Sequence, residues 1–191
     1  MIPQELKTVN GYDFFECSSA LQKCIRRGLE DDALFWMAEL CLSNYIEYVW
    51  KRLRIISSED VGLAEPYISS EIMSLYEMHK EQVKKKDDKH YPERLFVTHA
   101  VIMLCRANKS RLIDWQTVYV FGCHQQRFRS IPDFAFDKHT KKGKKMGRGF
   151  GHFFEEGCKL ENHLLIPGEI EAEENAKQAL TGECGNGLFS E

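Results

Sequence analysis

The strongest constraint on the fold of this chain is a concentration of helix-boundary residues in the stretch 54–66, which reads R-I-I-S-S-E-D-V-G-L-A-E-P. Ser57 or Ser58 is a natural N-cap, because a serine hydroxyl accepts a hydrogen bond from a free backbone N–H of the first helical turn. Glu59 and Asp60 then bring negative charge to a helix N-terminus, where the helix dipole stabilises it. This half of the stretch predicts that a helix ends and another begins.

The second half of the stretch carries two further boundary residues. Gly62 permits a tight turn, because a residue without Cβ adopts positive φ at no steric cost. Pro66 suits the first position of a helix, where the missing N–H is not needed. Together the two halves predict a junction between two helices.

Apolar residues recur at helical spacing on both sides of this junction. Asp31 or Asp32 is predicted to cap the second helix. Residues 95–107 are apolar almost all round, which is typical of a helix at the centre of a bundle and predicts that His99 is a buried core histidine. Short connections between such helices predict an all-α helical bundle. The predicted inward-facing residues are Leu21, Cys24, Ile25, Leu34, Met37, Leu40, Cys41, Ile46, Val49, Trp50, Leu53, Ile56, Ile68, Ile72, Leu75, Tyr76, Val83, Leu112, Trp115, Val118 and Tyr119.

The composition and the periodicity of the sequence change after residue 130. Residues 131–163 are rich in glycine, lysine and phenylalanine without helical periodicity, so we predict an irregular arm, with or without a short hairpin, whose phenylalanines pack on the bundle. Pro167 then opens an acidic stretch that is predicted to be a helix to about Leu180. The predicted domains are a bundle (1–130), a basic glycine-rich arm (131–166), and an acidic terminal helix and tail (167–191).

Composition adds few constraints. The net charge of −3 gives no global attraction to nucleic acid, and the seven scattered cysteines, without any C-x-x-C pair, are typical of a reduced intracellular protein. No leader and no apolar run of about 20 residues is apparent, so we expect a cytoplasmic chain with no membrane partner. The lysine-rich run 84–89 is expected to be a solvated helix end or loop, and the segment 181–191 is expected to be frayed.

Three blocks of this sequence resemble one protein family. The junction resembles the family signature S-E-D-[IV]-G-L-A-[DE]-P through Ser58, Glu59, Asp60, Gly62, Leu63 and Pro66. The other blocks comprise Tyr12-Asp13, Ser19-Ala20-Leu21, Lys23, Ile25-Arg26, Gly28 and Asp32 to Met37, and then Ala100 to Leu104 with Ala107-Asn108-Lys109-Ser110, where Asn108 replaces the usual proline. They resemble the C-terminal helical region of the replication-associated recombination ATPases, which include bacterial replication-associated recombination protein A and the eukaryotic Werner-helicase-interacting protein.

The resemblance implies a collar domain of the clamp-loader type that forms homo-oligomers, a tetramer in the family, or that docks on an AAA+ ATPase. It also implies a setting of DNA replication, recombination and repair. The family's ATPase module carries a G-x-x-x-x-G-K-[ST] phosphate loop, which these 191 residues lack. We therefore expect a non-catalytic oligomerisation or interaction module without a cofactor.

The basic arm is the candidate DNA contact. Glycines let a backbone approach phosphates, clustered cations displace counterions, and a phenylalanine can stack on a base. The alternative is a solvated basic loop whose aromatic side chains only pack. The candidate residues are Lys138, Lys141, Lys142, Lys144, Lys145, Arg148 and Phe150.

A metal-dependent hydrolase or nuclease is the alternative function. His139 and His152, with Glu155 or Glu156, could converge on a metal if the arm folds back on itself. None of them has a recognised ligand spacing such as H-E-x-x-H, so surface histidines are the simpler interpretation and no metal site is assigned.

Overall fold

A computed structural model describes residues 6–84 and 91–182 of the chain. The predictions for the lysine run beyond residue 84 and for the terminus beyond residue 182 lie outside these residues. The predicted all-α class is confirmed: the described residues form helices and turns without a strand, apart from one isolated bridge between Lys7 and Asp13. The helices are α1 (Phe14–Arg27), α2 (Glu30–Leu42), α3 (Ile46–Ile56), α4 (Ile68–Lys84), α5 (Glu93–Arg106), α6 (Leu112–Cys123), α7 (Lys141–Lys145), α8 (Phe150–His152) and α9 (Glu169–Thr181).

The chain divides into two compact units between Arg127 and Phe128. In the first unit, α5 lies at the centre and packs against α1, α2, α3 and α4. The core residues are Phe14, Cys17, Leu21, Ile25, Ala33, Met37, Leu40, Val49, Trp50, Leu53, Ile56, Val61, Ile68, Ile72, Leu75, Val97, Ala100, Val101, Leu104 and Cys105. Most of the predicted inward stripes of α1 to α4 are in this core.

Local sequence sets both ends of α1. The Asp13 carboxylate accepts hydrogen bonds from the backbone N–H groups of Phe15 and Glu16, at 2.8 and 3.0 Å, which is an N-cap. Gly28 ends the helix in the left-handed conformation at φ 68°, where a glycine carries no Cβ penalty. Helix α1 therefore begins at Phe14 and ends at Arg27.

Three details of the predicted bundle are wrong. Neither Asp31 nor Asp32 caps α2, because that helix already begins at Glu30. Val83 is exposed near the end of α4. His99 is exposed, because it lies off the buried stripe of α5. The buried histidine is instead His79 on α4, whose Nδ1 lies 3.0 Å from the Glu93 carbonyl oxygen.

The junction is built differently from the prediction. Ser57–Val61 continues α3 as one wide, π-type turn, and a short 3-10 turn, Gly62–Ala64, follows. Neither serine caps a helix: the Ser57 hydroxyl donates to the Arg54 carbonyl oxygen at 2.8 Å. Helix α4 starts at Ile68, two residues after Pro66. The junction is therefore a continuous turn rather than a cap.

The described part of the second unit consists of short helical turns followed by one regular helix. No hairpin forms in its described part, up to residue 182; instead, residues 133–135 form a 3-10 turn and Phe153–Gly157 a π-type turn. Helix α9 begins at Glu169 and ends at Thr181, so the predicted acidic helix is confirmed. Across the described ranges of both units, no helix is long and apolar enough to cross a membrane.

Candidate interaction surfaces

We call the two consecutive turns of the junction, Ser57–Val61 and Gly62–Ala64, the signature turn. A buried carboxylate lies at its centre. The Asp60 side chain is 0% exposed and accepts a 2.6 Å hydrogen bond from Arg26 Nε of α1. Arg111, at the start of α6, contacts the same carboxylate oxygen at 3.3 Å and also pairs with Asp114. Glu59 adds a 3.0 Å contact to Arg26. This network joins the first helix of the bundle to the last.

Other residues of the turn hold the connection between α5 and α6. The Asp60 carbonyl oxygen accepts a 3.0 Å hydrogen bond from the Ser110 backbone N–H. The Glu65 carboxylate accepts a 2.7 Å hydrogen bond from the Asn108 side chain. A Cβ on Gly62 would lie 3.1 Å from Ile113 Cγ1, so α6 packs directly on the backbone of the turn. We call this part of the molecule the cradle (residues 59–65 and 107–113).

Lys109, in the connection between α5 and α6, binds the C-terminal end of α5. Its ammonium group donates to three carbonyl oxygens at the end of α5: Leu104 at 2.7 Å, Cys105 at 3.1 Å and Ala107 at 2.6 Å. A cation at a helix C-terminus satisfies carbonyls that have no partner in the helix. Partial burial lowers the pKa of this ammonium group from its ordinary value. Lys109 therefore terminates α5 and directs the chain into α6.

The remaining signature residues have smaller roles. Ser58 contacts Ser69 on α4 at 3.4 Å between hydroxyl oxygens. Leu63 is exposed, and Pro66 lies two residues before the start of α4. Sequence reasoning assigned Glu59 and Asp60 to helix capping and missed their arginine partners. The signal available in the sequence was that Glu59 and Asp60 directly follow the apolar stripe that ends at Ile56.

The second candidate surface is α6 itself. The prediction that Leu112, Trp115, Val118 and Tyr119 face inward is wrong, because none of the residues of α6 is buried. Trp115 is 65% exposed and Phe121 80%. The only charged residue of this helix is Asp114. We call the exposed side chains the α6 face: Leu112, Ile113, Trp115, Val118, Tyr119, Val120 and Phe121.

The second unit places the predicted DNA-contacting residues in two groups. Three of the cations are engaged within the unit: the Lys138 ammonium lies 3.0 Å from the Phe150 ring centroid, and that of Lys142 lies 3.9 Å from the Phe136 centroid. Arg148 is only 15% exposed and donates to the carbonyl oxygens of residues 133 and 136. The second group, Lys141, Lys144 and Lys145, is exposed and has no ion-pair partner in the described residues.

The exposed lysines share one side of α7, because residues three and four apart on a helix are neighbours. The opposite side of α7 packs on the preceding turn so closely that a Cβ on Gly143 would lie 1.8 Å from the Asp137 carbonyl oxygen. The Thr140 hydroxyl caps the helix by accepting from the Gly143 N–H at 3.0 Å. The fold of this short segment thus fixes which lysines point to solvent. We call Lys141, Lys144 and Lys145 the lysine face.

The structure does not assemble the alternative metal site. Residues 6–84 and 91–182 contain no group of three or more histidine, cysteine, aspartate or glutamate side chains that could hold a metal ion. The His139 ring packs against Phe153, with 6.0 Å between centroids. Glu156 pairs with Lys159 at 2.7 Å, and this contact lowers the pKa of its carboxyl group. Glu155 is exposed, and the Nδ1 atom of His152 is buried.

The fold and the cradle define a C-terminal helical module of an AAA+ ATPase family. The family model described as the MgsA AAA+ ATPase C-terminal domain matches residues 29–172, so this chain belongs to that family. The chain is similar to replication-associated recombination protein A of Bacillus subtilis, with 26% identity over 188 residues that make up 94% of this chain and 42% of the relative. The protein of the same name from Haemophilus influenzae is 27% identical over 145 residues, which are 73% of this chain and 30% of the relative. The chain thus spans less than half the length of these relatives.

Proposed function

We propose that this chain is a non-catalytic oligomerisation module and that α6 is the helix through which one copy binds another. The observation that carries the proposal is the exposure of the α6 face on a helix with one charged residue. Solvent-exposed apolar patches of this extent are typical of protein–protein interfaces. Membership in the AAA+ C-terminal family and the resemblance to an oligomerising collar support the same function.

One side of α6 supplies the centre of a contact. Leu112, Trp115, Val118 and Tyr119 share this side at helical spacing, and side chains of their size that each expose on the order of 100 Å² supply about half of the roughly 800 Å² that each partner buries in an interface of standard size. Aromatic residues are also enriched at interface centres, where they contribute most of the binding energy. Two copies of α6 packed about a twofold axis would cover both faces at once.

Light scattering coupled to size-exclusion chromatography tests this proposal. We expect the full chain to elute as an oligomer and Trp115→Glu to elute as a monomer, because a buried unpaired carboxylate is costly at an interface. Tyr67→Glu is the matched control, since Tyr67 is 78% exposed in the same unit but lies outside α6. A wild-type monomer, or equal disruption by both variants, would refute the proposal. An oligomer that forms only with an added AAA+ ATPase would assign the α6 face to that partner instead.

We infer a second, weaker function for the lysine face, namely contact with the DNA backbone. Three unpaired lysines on one side of a short helix repel one another, and a phosphate backbone relieves that repulsion. The predicted stacking of Phe150 on a base finds no support, because Lys138 covers that ring. Contact would therefore be independent of base sequence, and an oligomer would strengthen it by presenting the face several times.

Salt dependence tests the DNA contact separately from assembly. If all three lysines contact phosphates, the affinity for duplex DNA should fall with salt at a log–log slope of roughly −2.7. The variant in which Lys141, Lys144 and Lys145 are replaced by glutamine should lose this dependence while keeping its oligomeric mass. A matched variant, Lys138→Gln with Lys142→Gln, should bind DNA nearly as well as the wild type. Equal loss in both variants would contradict the assignment.

A further inference from the structure

A second exposed apolar surface lies on α2 and on the turn that precedes α1. Tyr12, Phe35 and Trp36 form one aromatic cluster, in which the ring centroids of Phe35 and Trp36 are 4.9 Å apart and those of Tyr12 and Trp36 are 5.3 Å apart. The rings meet edge to face. Tyr12 and Phe35 are exposed, whereas Trp36 is half-buried. The cluster therefore presents the rings of Tyr12 and Phe35 to solvent, next to the half-buried ring of Trp36.

Two carboxylates stand beside these rings. Asp31 and Asp32 precede Phe35 by four and three residues on α2, a spacing that makes them neighbours on the helix surface. Both are exposed, and neither forms an ion pair or side-chain hydrogen bond with any described residue. The adjacent Glu30, in contrast, is paired with Arg106 at 2.7 Å. We call Tyr12, Asp31, Asp32, Phe35 and Trp36 the aromatic–acidic face.

The helix dipole explains only part of this arrangement. Carboxylates in the first turn of α2 are stabilised by the positive end of the dipole. The dipole does not require three aromatic rings to gather beside them at the surface. Helix α2 also contains no lysine or arginine, so its surface attracts cations and repels phosphate groups. Nucleic acid is therefore the wrong ligand for this face.

Elsewhere in the bundle, another combination of an aromatic ring and a carboxylate already has cations bound to it. The Tyr76 ring is covered by the Arg54 guanidinium at 4.5 Å and the Lys80 ammonium at 4.8 Å. The Tyr76 hydroxyl donates to the Glu47 carboxylate at 2.8 Å, so a carboxylate completes the site. The aromatic–acidic face has the rings and the carboxylates, but no described cation lies over its rings.

We propose that the aromatic–acidic face binds a partner polypeptide segment in which arginine or lysine side chains flank an apolar residue. The cations lie over the exposed rings of Tyr12 and Phe35 and pair with Asp31 and Asp32, while the apolar residue covers the cluster. The partner is a basic peptide segment of another protein. This surface is independent of the α6 face, so one copy can hold both contacts.

Fluorescence anisotropy with a labelled peptide tests the proposal on the full chain. The probe is a helical peptide of about 15 residues built from arginine and leucine, and the same peptide with glutamate in place of arginine is the negative probe. The arginine peptide should bind the wild type, and Phe35→Gln combined with Asp31→Asn and Asp32→Asn should weaken binding at least about tenfold. Tyr12→Leu, which keeps apolar area but removes the ring, should cause a smaller loss and guards against misfolding of the triple variant.

Two controls separate this face from other surfaces. Glu171→Gln with Glu174→Gln removes a similar amount of acidic charge from α9, outside the aromatic–acidic face, and should change affinity less than about twofold. Trp115→Glu should leave peptide binding intact, even if it abolishes assembly. The proposal is overturned if the wild type binds neither peptide or binds both equally. It is also overturned if either control weakens binding as much as the Phe35 variant does.

Discussion

Helices α5 and α6 are adjacent in sequence and similar in length, yet one is the centre of the bundle and the other lies on its surface. Helix α6 is the more apolar of the two, with one charged residue against three in α5. Five residues of α5 are nevertheless buried, and none of α6 is. The composition of a helix determines how much free energy its burial contributes. The topology of the chain determines whether other elements of the same chain bury it.

The order of the elements explains this difference. Helix α5 returns into a space bounded by α1, α2, α3 and α4, which surround it. Helix α6 follows after that space is filled, and its main contacts are with the signature turn. The cradle therefore orients an apolar helix without burying it, which is the arrangement that an assembly contact requires.

Thiol reactivity should show the largest difference between the two helices. Burial raises the pKa of the Cys105 thiol on α5 to about 11. At pH 8 only about one thiol in a thousand is then ionised, and the reagent must also reach a buried site. Cys123 on α6 is half-buried. In the native protein a maleimide should label Cys123 at least about a thousandfold faster than Cys105, as measured by mass spectrometry of peptides. Comparable rates would show that α5 opens readily.

Loss of the Asp60 carboxylate should have the next largest effect. Asp60→Asn removes the fully buried carboxylate that Arg26 and Arg111 share, leaves only the more exposed Glu59 between them, and should reduce the free energy of unfolding by about 3–5 kcal/mol. Urea denaturation measures this change. Glu59→Gln is the control, and its cost should stay below about 1 kcal/mol because this pair is more exposed. Equal effects of the two variants would mean that Asp60 is not the anchor of the network.

Matched leucine truncations compare the two helices directly. Leu104→Ala removes a fully buried side chain from α5 and should destabilise the protein by about 2–5 kcal/mol. Leu112→Ala removes an exposed side chain from α6 and should cost less than about 0.5 kcal/mol when the protein is dilute enough to be monomeric. Urea denaturation at that dilution measures both. A large cost for Leu112→Ala would place α6 in the core of the single chain.

A matched pair of glycine substitutions should show the smallest effects. Gly62 has φ 52° and ψ −128°, and a Cβ there would press on Ile113, so Gly62→Ala should cost about 1–3 kcal/mol. Gly122 in α6 has no atom within 4 Å of its added Cβ, so Gly122→Ala should stabilise the monomer by up to about 1 kcal/mol. Thermal unfolding measures the change in stability of both variants. Changes of the same sign would contradict the close contact between α6 and the turn.

Periodicity predicted the helices well because each buried stripe is a local property of the sequence. The same rule locates His79, which follows Ile72 by seven residues and Leu75 by four on the buried stripe of α4, whereas His99, the predicted core histidine, lies off the buried stripe of α5. Asp60 could not be assigned in this way, since its partners lie 34 and 51 residues away. The direction of α6 was unpredictable for another reason: with apolar residues all round, the helix has no polar side to mark the solvent.

Fluorine NMR of fluorotryptophan-labelled protein tests the central claim most directly. The chain has three tryptophans, of which Trp50 is fully buried and Trp115 is exposed on α6. We predict that at low concentration the Trp115 resonance shows a solvent isotope shift in D₂O, and that this shift disappears at high concentration as α6 is covered. The Trp50 resonance should show no such shift at either concentration. A Trp115 resonance that stays shifted at every concentration, or is never shifted, would contradict the assignment of α6 as the assembly contact.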